Sequence, residues 1–472
     1  MKSLCLCVFV VKFGLHIILD SYSPTTLTPM RTLALLLGLI FTLPAITLGL
    51  EAPKLILNHS TRLETWDNVY LVRSTSSSAR GTTYTRHLTS LGTTWEPFSF
   101  LELGVRGANE FRFYTAPSTT PFSRDEIVFD NLYLRLNAKM GWPVSLTVGR
   151  QDMKFGEGWL VADGTPLDGT RTTYFNAVRF DVRPERQTVV TGFYVYSDRE
   201  DRGLPIFKNN HRQLTEQAYE GGGLWIRRDW TDYDLNVYYL QKNDRTRKYV
   251  IGGYYAPHQK TNAFGVRGEY LYNGNLRFTA EGALQQGFFT DASNHARMQE
   301  EYRQAYGFML HLRRDLPSRW WLPKYIELGE IMMSGDFPGT QNKYEGWDPM
   351  WGRTPIWSES YVYTLDNESG YAYWSNFRSL YAEICVPVTE QARFTVDYRY
   401  MWALTFDTNE HWSGDRGIMW LGKLDYCINK RLSGRCIWER IEPDNFHDDM
   451  LYIPRRTPAP YTWISLEVSY HY

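Results

Sequence analysis

The sequence predicts an all-β protein, an antiparallel transmembrane β-barrel of about 18 strands. Three observations predict it. Apolar and polar residues alternate with a period of two in many segments from about residue 54 to the end of the chain. Beyond residue 50, no apolar run is long enough for a membrane-spanning helix. Phe, Trp and Tyr make up 16% of the 472 residues, and these rings suit a boundary between apolar and wet surroundings.

The first 49 residues precede this pattern. Residues 30–49 have the layout of a secretory signal peptide, with Arg31 before an apolar run from residue 33 to residue 43 and small residues after it. Residues 1–29 are predicted to be a non-native or cleaved extension. The alternative is that the two apolar segments form an uncleaved anchor. The barrel domain is predicted to occupy residues 50–472.

The final segment, residues 462–472, shows the alternation clearly. Ile464, Leu466 and Val468 share one parity, and Ser465 and Glu467 share the other. Because successive side chains of a strand point to opposite faces, a barrel would turn the apolar parity to lipid and the polar parity to the lumen. In a soluble sandwich or propeller the apolar parity would face inward. We expect this segment to be the closing strand, paired with the first.

Residues 392–402 alternate in the same way and favour the barrel. The apolar face of this segment carries Tyr398, Tyr400 and Trp402 towards one end, which is typical of the aromatic girdle at a bilayer interface. Charged residues lie in the middle of the polar face, which suits a wet lumen. The sequence therefore predicts a monomeric barrel with aromatic girdles.

Charge and cysteine usage exclude some classes. Lys and Arg number 51 against 52 Asp and Glu, so neither a polybasic nucleic-acid binder nor an acidic disordered chain is predicted. Cys427 and Cys436 could face each other across a hairpin as a disulfide, or remain free thiols. The cysteines lack zinc-site spacing, and no cofactor or metal is expected.

Two segments carry a resemblance to a known family. In residues 148–182 a strand ends in Gly-Arg-Gln, a Gly-rich loop follows, and a strand resumes with Ala-Val-Arg; residues 334–361 contain Ser-Gly-Asp and Trp-Asp-Pro. Both resemble segments of the alginate export family of outer-membrane proteins. The resemblance implies a barrel of about 18 strands in the bacterial outer membrane, whose Arg-rich lumen passes an anionic polysaccharide or another solute. The terminal strand, which ends on Tyr472, resembles the signal that the outer-membrane barrel assembly machinery reads.

Inward charged residues are the candidate site. Guanidinium groups in a watery constriction can pair with carboxylates and release them again if several weak sites replace one tight site. The alternative is that each Arg only neutralises a neighbouring acid and holds the wall. The candidate lumen residues are Arg112, Arg135, Arg179, Arg267, Arg277, Arg393 and Arg399, with the counter-charges Asp181, Glu269, Glu281 and Asp397.

Two Gly- and Trp-rich loops have their own interpretations. Residues 155–175 are either a loop that folds into or over the pore or an ordinary surface loop. Residues 337–357 could offer aromatic platforms and carboxylates to a sugar, but packing anchored at the membrane interface is the favoured interpretation of their Trp residues.

Other functions stay open at this point. Within the barrel interpretation, a general or substrate-specific diffusion porin for small solutes is the alternative to export of a polymer. A secreted carbohydrate-binding sandwich and an outer-membrane hydrolase are less favoured. The sequence has neither a Gly-x-Ser-x-Gly nor a His-Glu-x-x-His motif, so no catalytic residues are proposed. The expected partners are outer-membrane lipid, the assembly machinery and the transported solute, without nucleic acid.

Overall fold

The computed structural model describes most of the chain from residue 52 onward. The described residues are 52–68, 81–116, 127–137, 143–162, 174–201, 218–245, 258–291, 299–317, 322–337, 339–340, 342–352, 357–360, 375–406, 414–444 and 459–472. The predicted signal peptide and the extension before it lie outside them. Within these ranges, no helix has the length and apolar character needed to cross a membrane.

The described residues contain 21 strands. They are β1 (Lys54–Asp67), β2 (Gly81–Phe98), β3 (Leu101–Ala116), β4 (Val128–Leu136), β5 (Val144–Gln151), β6 (Lys154–Phe155), β7 (Val161–Ala162), β8 (Phe175–Glu185), β9 (Thr188–Ser197), β10 (Tyr219–Asp229), β11 (Tyr233–Asp244), β12 (Gln259–Tyr272), β13 (Leu276–Asp291), β14 (Gln299–Asp315), β15 (Tyr325–Met333), β16 (Lys343–Tyr344), β17 (Phe377–Pro387), β18 (Ala392–Trp402), β19 (Asp415–Cys427), β20 (Leu432–Glu442) and β21 (Tyr461–His471).

Eighteen of the strands found in the described ranges form one closed antiparallel barrel. Each strand of this wall pairs with the next one along the chain, and β21 pairs with β1, where Arg62 lies opposite Glu467. Of the three short strands, β16 adds a parallel pairing to β14, and β6 and β7 pair with each other as a hairpin. The predicted fold class and the predicted closing strand are confirmed.

The two faces of the wall differ as the alternation predicts. On β21, Leu466 and Val468 point outward with about half of their surface exposed, at 48% and 50%. On the other parity, Trp463 and Ser465 are buried. Exposed aromatic side chains recur towards strand ends on the outer face, as at Tyr272 of β12. An apolar outer face with rings near its borders is the surface that a bilayer covers.

The two ends of the barrel differ in the length of their connections. At one end, called here the short-turn end, strands are joined by tight turns such as residues 99–100, 186–187 and 273–275. The last of these turns places Asn273 and Gly274 at positive φ, 48° and 69°, which is the backbone geometry of a type I′ turn. At the other end, the long-loop end, connections such as residues 152–174 and 334–376 are much longer.

The possible disulfide is not formed. In the β19–β20 pairing, Cys427 lies opposite Ser433, and Cys436 lies opposite Leu424. Both cysteines are free thiols. Because Cys427 and Leu424 differ in parity on β19, the two cysteines point to opposite faces of the wall, and a direct cross-strand bond is geometrically excluded.

Candidate functional site

The interior of the barrel holds two segments that descend from the long-loop end. The first inner segment comprises residues 152–162 and includes the β6–β7 hairpin; the second inner segment comprises residues 342–352 and includes β16. Their side chains join the inward residues of the wall in one apolar cluster. From the two segments this cluster takes Met153, Phe155, Trp159, Leu160, Val161, Trp347, Met350 and Trp351. The lumen is therefore narrowed by ordered chain.

A carboxylate of the wall fastens the tip of the first inner segment. The backbone N–H of Glu157 donates to Oε2 of Glu281 over 2.9 Å. A Cβ on Gly156 would lie 2.4 Å from the same oxygen, and Gly156 has a φ of +55°. The position therefore requires glycine both for its backbone conformation and for the close approach of the carboxylate.

Arg267 of β12 provides a second attachment for this tip. Its guanidinium lies 2.8 Å from the Glu157 carboxylate, and it also bonds to Asp234 and Glu269, each over 2.9 Å. One cation thus joins an inner-segment acid to two acids of the wall. Since the Arg267 side chain is only 11% exposed, its bonds are shielded from water and contribute more than surface pairs would.

Aromatic rings pack the first inner segment against the wall and against its partner. Phe155 stacks on Trp225 of β10 and Phe193 of β9, with ring centroids 5.2 Å and 5.4 Å apart. Trp159 stacks on Trp347 of the second inner segment at 4.7 Å. Stacked rings at these separations add to the free energy of area burial.

Backbone bonds join the two inner segments directly. The N–H of Ala162 donates to the carbonyl of Trp351, and the N–H of Trp351 donates to the carbonyl of Leu160, both over 3.0 Å. These bonds form a short parallel bridge between Val161 and Trp351. The inner segments therefore behave as one unit, which the wall holds from several sides.

The second inner segment is fastened to the wall at Asp348. The amide of Gln285 in β13 binds both backbone groups of Asp348: its Nε2 donates to the carbonyl over 2.6 Å, and its Oε1 accepts from the N–H over 2.9 Å. Thr261 donates to the Asp348 carboxylate over 2.6 Å. Burial alone would raise the pKa of Asp348, but the nearby cations Lys242 and Arg303 and these hydrogen bonds hold the pKa below its ordinary value.

Two further groups complete the attachment. Arg303 of β14 donates to the carbonyl of Gly346 over 2.7 Å. Farther along the same loop, Glu439 of β20 accepts hydrogen bonds from the hydroxyls of Ser358 and Ser360 and from the backbone N–H of Glu359. Glu439 is fully buried. The loop that contains the second inner segment is therefore bound to the wall strands at widely separated points.

The loop predictions can now be compared with the structure. Residues 155–162 fold into the pore, as one of the two interpretations predicts; residues 163–173 lie outside the described ranges. In the second loop, Trp347, Trp351 and Trp357 are 5% exposed or less. They are neither exposed platforms for a sugar nor anchors at the membrane interface, because they pack inside the wall. The favoured interpretation of these rings was wrong.

The predicted lumen residues occupy the inward parity, and the structure pairs their charges. Arg179 bonds to Asp181 over 2.9 Å and Arg399 to Asp397 over 2.5 Å. Arg277 lies 3.4 Å from Glu269. Apart from Arg267, whose partners are given above, the other three predicted arginines pair with acids that were not predicted: Arg112 with Glu110, Arg135 with Glu102 and Arg393 with Asp425.

Glu281 departs from this pattern because its described partners are uncharged donors. It accepts from the Glu157 N–H and from the hydroxyl of Tyr238. Of the predicted residues, Arg267 and Glu281 form hydrogen bonds with the first inner segment, and the Arg179 guanidinium lies over the Phe155 ring, 5.5 Å from its centroid. The role of the whole set in binding a transported solute stays a prediction.

Sequence reasoning missed the residues that hold the second inner segment. Gln285, Thr261, Arg303 and Glu439 were not among the candidates, although each is a buried polar residue. Their signal was available in part, because each lies on the parity of its strand that the alternation directs to the lumen. A polar residue that is inward and uncharged, such as Gln285, gives no reason in the sequence to prefer a structural role over a solute-binding one.

Comparison with known proteins supports the channel architecture. A family model described as "Alginate export" matches residues 77–408. No curated protein matches this chain significantly in sequence.

Solved structures match the fold. Acinetobacter baumannii OccAB1 is 11% identical, with a TM-score of 0.57 over 89% of this chain and 96% of that one. Acinetobacter baumannii OccAB4 is 10% identical, with a TM-score of 0.54 over 89% and 98%. Pseudomonas aeruginosa OccK1 is 12% identical, with a TM-score of 0.52 over the same shares. At these identities the likeness concerns the fold alone.

Proposed function

Because the chain belongs to the alginate export family, we propose that the lumen of this outer-membrane channel passes an anionic polysaccharide or a related acidic solute. The channel is a closed β-barrel in the bacterial outer membrane. Barrels of that membrane have short turns on the periplasmic side, so the short-turn end faces the periplasm and the inner segments descend from the outside.

The observation that carries the proposal is a set of inward arginines that keep guanidinium N–H donors free for a ligand. Arg135 and Arg393 are 37% and 54% exposed, and each forms an ion pair with one carboxylate. A guanidinium has five N–H donors in a planar fork, so a single carboxylate leaves donors for a passing acid. Several arginines that each keep unused N–H donors would bind a passing acid weakly and repeatedly. Conduction requires such weak sites in series and not one tight site.

The inner segments favour a second candidate, a substrate-specific porin for small solutes. Their rings pack directly against wall residues on β9, β10 and β13, and this packing narrows the route that a polymer would need. Both candidates are channels. The family is one of channels, which supports transport rather than catalysis as the role of the inward carboxylates.

Planar-bilayer recording tests the proposal. The purified barrel is expected to conduct, and oligomeric uronates are expected to interrupt the current, whereas neutral sugars of equal length are not. Arg135→Ala and Arg393→Ala are expected to shorten the uronate events. Equal block by neutral and acidic sugars would favour the small-solute porin. If neither acidic nor neutral sugars block the current, and the channel shows no preference for anions, the proposal of an acidic cargo is refuted.

We also propose that the barrel assembly machinery reads the terminal strand. Its support is the position of β21, which closes the barrel on β1 and leaves Tyr472 at the short-turn end. Removal of Tyr472 is expected to lower the amount of heat-modifiable barrel recovered from outer membranes. An unchanged yield would argue against this partner.

A further inference from the structure

A cavity of about 500 Å³ lies at the short-turn end, away from both inner segments. Its walls come from β18 to β21 and from the turns beside them, and Arg393, Arg435, Asp425, Glu467 and Cys427 line it. The inner segments contact β3, β4 and β8 to β14 instead. A cavity of this volume is in the range that holds one or two sugar rings.

Two guanidinium groups in this cavity share one carboxylate. Nε of Arg393 donates to Asp425 over 3.1 Å, and Nε of Arg435 donates to the other oxygen of Asp425 over 2.6 Å. Across the described residues, the terminal nitrogens of both arginines have no hydrogen-bond partner. Asp425 therefore orients both guanidinium groups and leaves their terminal N–H donors free for a ligand.

Cations and acids are equal in number in the lining of the cavity. The lining contains the cations Lys324, Arg393 and Arg435 and the acids Glu390, Asp425 and Glu467. Arg62, from outside the lining, binds Glu467 over 3.1 Å and also lies 3.6 Å from Glu64, so two acids share it. A bound anion would therefore be held by the free terminal N–H donors of Arg393 and Arg435 and not by an excess of positive charge.

We propose that this cavity is a binding site for the carboxylate of an acidic sugar, held by the terminal nitrogens of Arg393 and Arg435. The proposal rests on the proposed function, since it names uronate units as the substrate class and places one docking position at the periplasmic mouth. Gln391, Ser433 and Ser469, which also line the cavity, supply polar groups for sugar hydroxyls.

Cys427 allows a test that does not depend on transport. It is an exposed free thiol that lines the cavity, whereas Cys385 is buried and Cys436 lies on the other face of the wall. In a Cys436→Ser background, labelling of the detergent-solubilised barrel by an uncharged maleimide reports access to the cavity. Glucuronate is the ligand, and glucose, which lacks the carboxylate, is the control.

The expected result is protection by glucuronate alone. Bound glucuronate reduces the labelling rate by a factor of 1 + [L]/Kd, about elevenfold at ten times Kd. Arg393→Gln and Arg435→Gln are each expected to raise the Kd about tenfold or more, because each removes a charge-assisted bond. Arg227→Gln is the matched control: Arg227 is 52% exposed, bonds through Nε to Asp229, and lies on β10, outside the cavity.

Each result decides the question. Protection by glucuronate that is lost in the two cavity variants and kept in Arg227→Gln supports the site, with heat-modifiable gel mobility showing that all variants are folded. Absence of protection, equal protection by glucose, or protection that survives both cavity substitutions overturns it. Since labelling is independent of conduction, failure of the bilayer experiment with protection intact would refute the proposed cargo and leave the site standing.

Discussion

Gln285 is the most direct point at which to test whether the wall holds the second inner segment. Its amide binds the N–H and the carbonyl of Asp348 and is fully buried. The Gln285→Ala substitution leaves both backbone groups without this partner. An unsatisfied buried polar group costs about 1–3 kcal/mol, so the docked state of the segment loses about 2–6 kcal/mol.

The lower end of this range sets the smallest effect that we expect to observe. About 2 kcal/mol lowers the ratio of docked to undocked segment roughly thirtyfold. The Thr261 bond to Asp348 and the Arg303 bond to Gly346 remain, so the segment is expected to open more often without leaving permanently. Single-channel recording should show more frequent excursions to a higher conductance, and limited proteolysis should cut within residues 342–352 at lower protease concentrations.

Gln286 is the matched control, because it is the next residue on β13 and its side chain points outward and is exposed. Gln286→Ala is expected to leave conductance and proteolysis as in the unmodified protein. If Gln285→Ala gives the same current record and the same cleavage pattern as Gln286→Ala, the Asp348 attachment does not hold the segment and the reasoning is refuted.

Three other predictions follow from the same geometry. Glu439→Gln removes a buried charge that accepts three hydrogen bonds from residues 358–360, so about 1–3 kcal/mol of loop attachment should be lost, measured as faster proteolysis there with an unchanged barrel. Arg267→Ala leaves three carboxylates without their shared cation; at about 1 kcal/mol, reversal potentials should show a roughly fivefold rise in cation over anion permeability, and an unchanged permeability ratio would contradict this role of Arg267. Leu466→Arg places a cation on the outer face of the closing strand and should cost about 2–4 kcal/mol, measured by urea titration in vesicles; unchanged stability would show that this face is not in lipid.

The sequence predicted the wall of the barrel well because the wall depends on local information. A period of two assigns each side chain of β21 to a face without any knowledge of its neighbours. The same parity placed Arg179 with Asp181 and Arg399 with Asp397 on one face of their strands, and the structure pairs them there. Pairs that cross between strands, such as Arg135 with Glu102, need a register that the sequence does not contain.

The inner segments were less predictable because their partners are distant in the chain. Glu281 was predicted to balance an arginine, but one of its partners is a backbone N–H 124 residues away. Trp347 and Trp351 are as typical of a loop at the membrane interface as of a loop buried in the barrel, since an indole ring suits both environments. Only the path of the loop back into the barrel separates the two interpretations.

The closure of the wall also bears on the order in which the barrel assembles. The bond between His471 and Asn58 joins residues 413 positions apart, and the Tyr472 N–H donates to the carbonyl of Leu57 nearby. Contacts of such long sequence separation form late and slowly. Until β21 has joined the wall, β1 and β20 are both open edges that can pair with a strand of another chain. The barrel is therefore most prone to misassembly just before the eleven-residue strand β21 pairs with both of them.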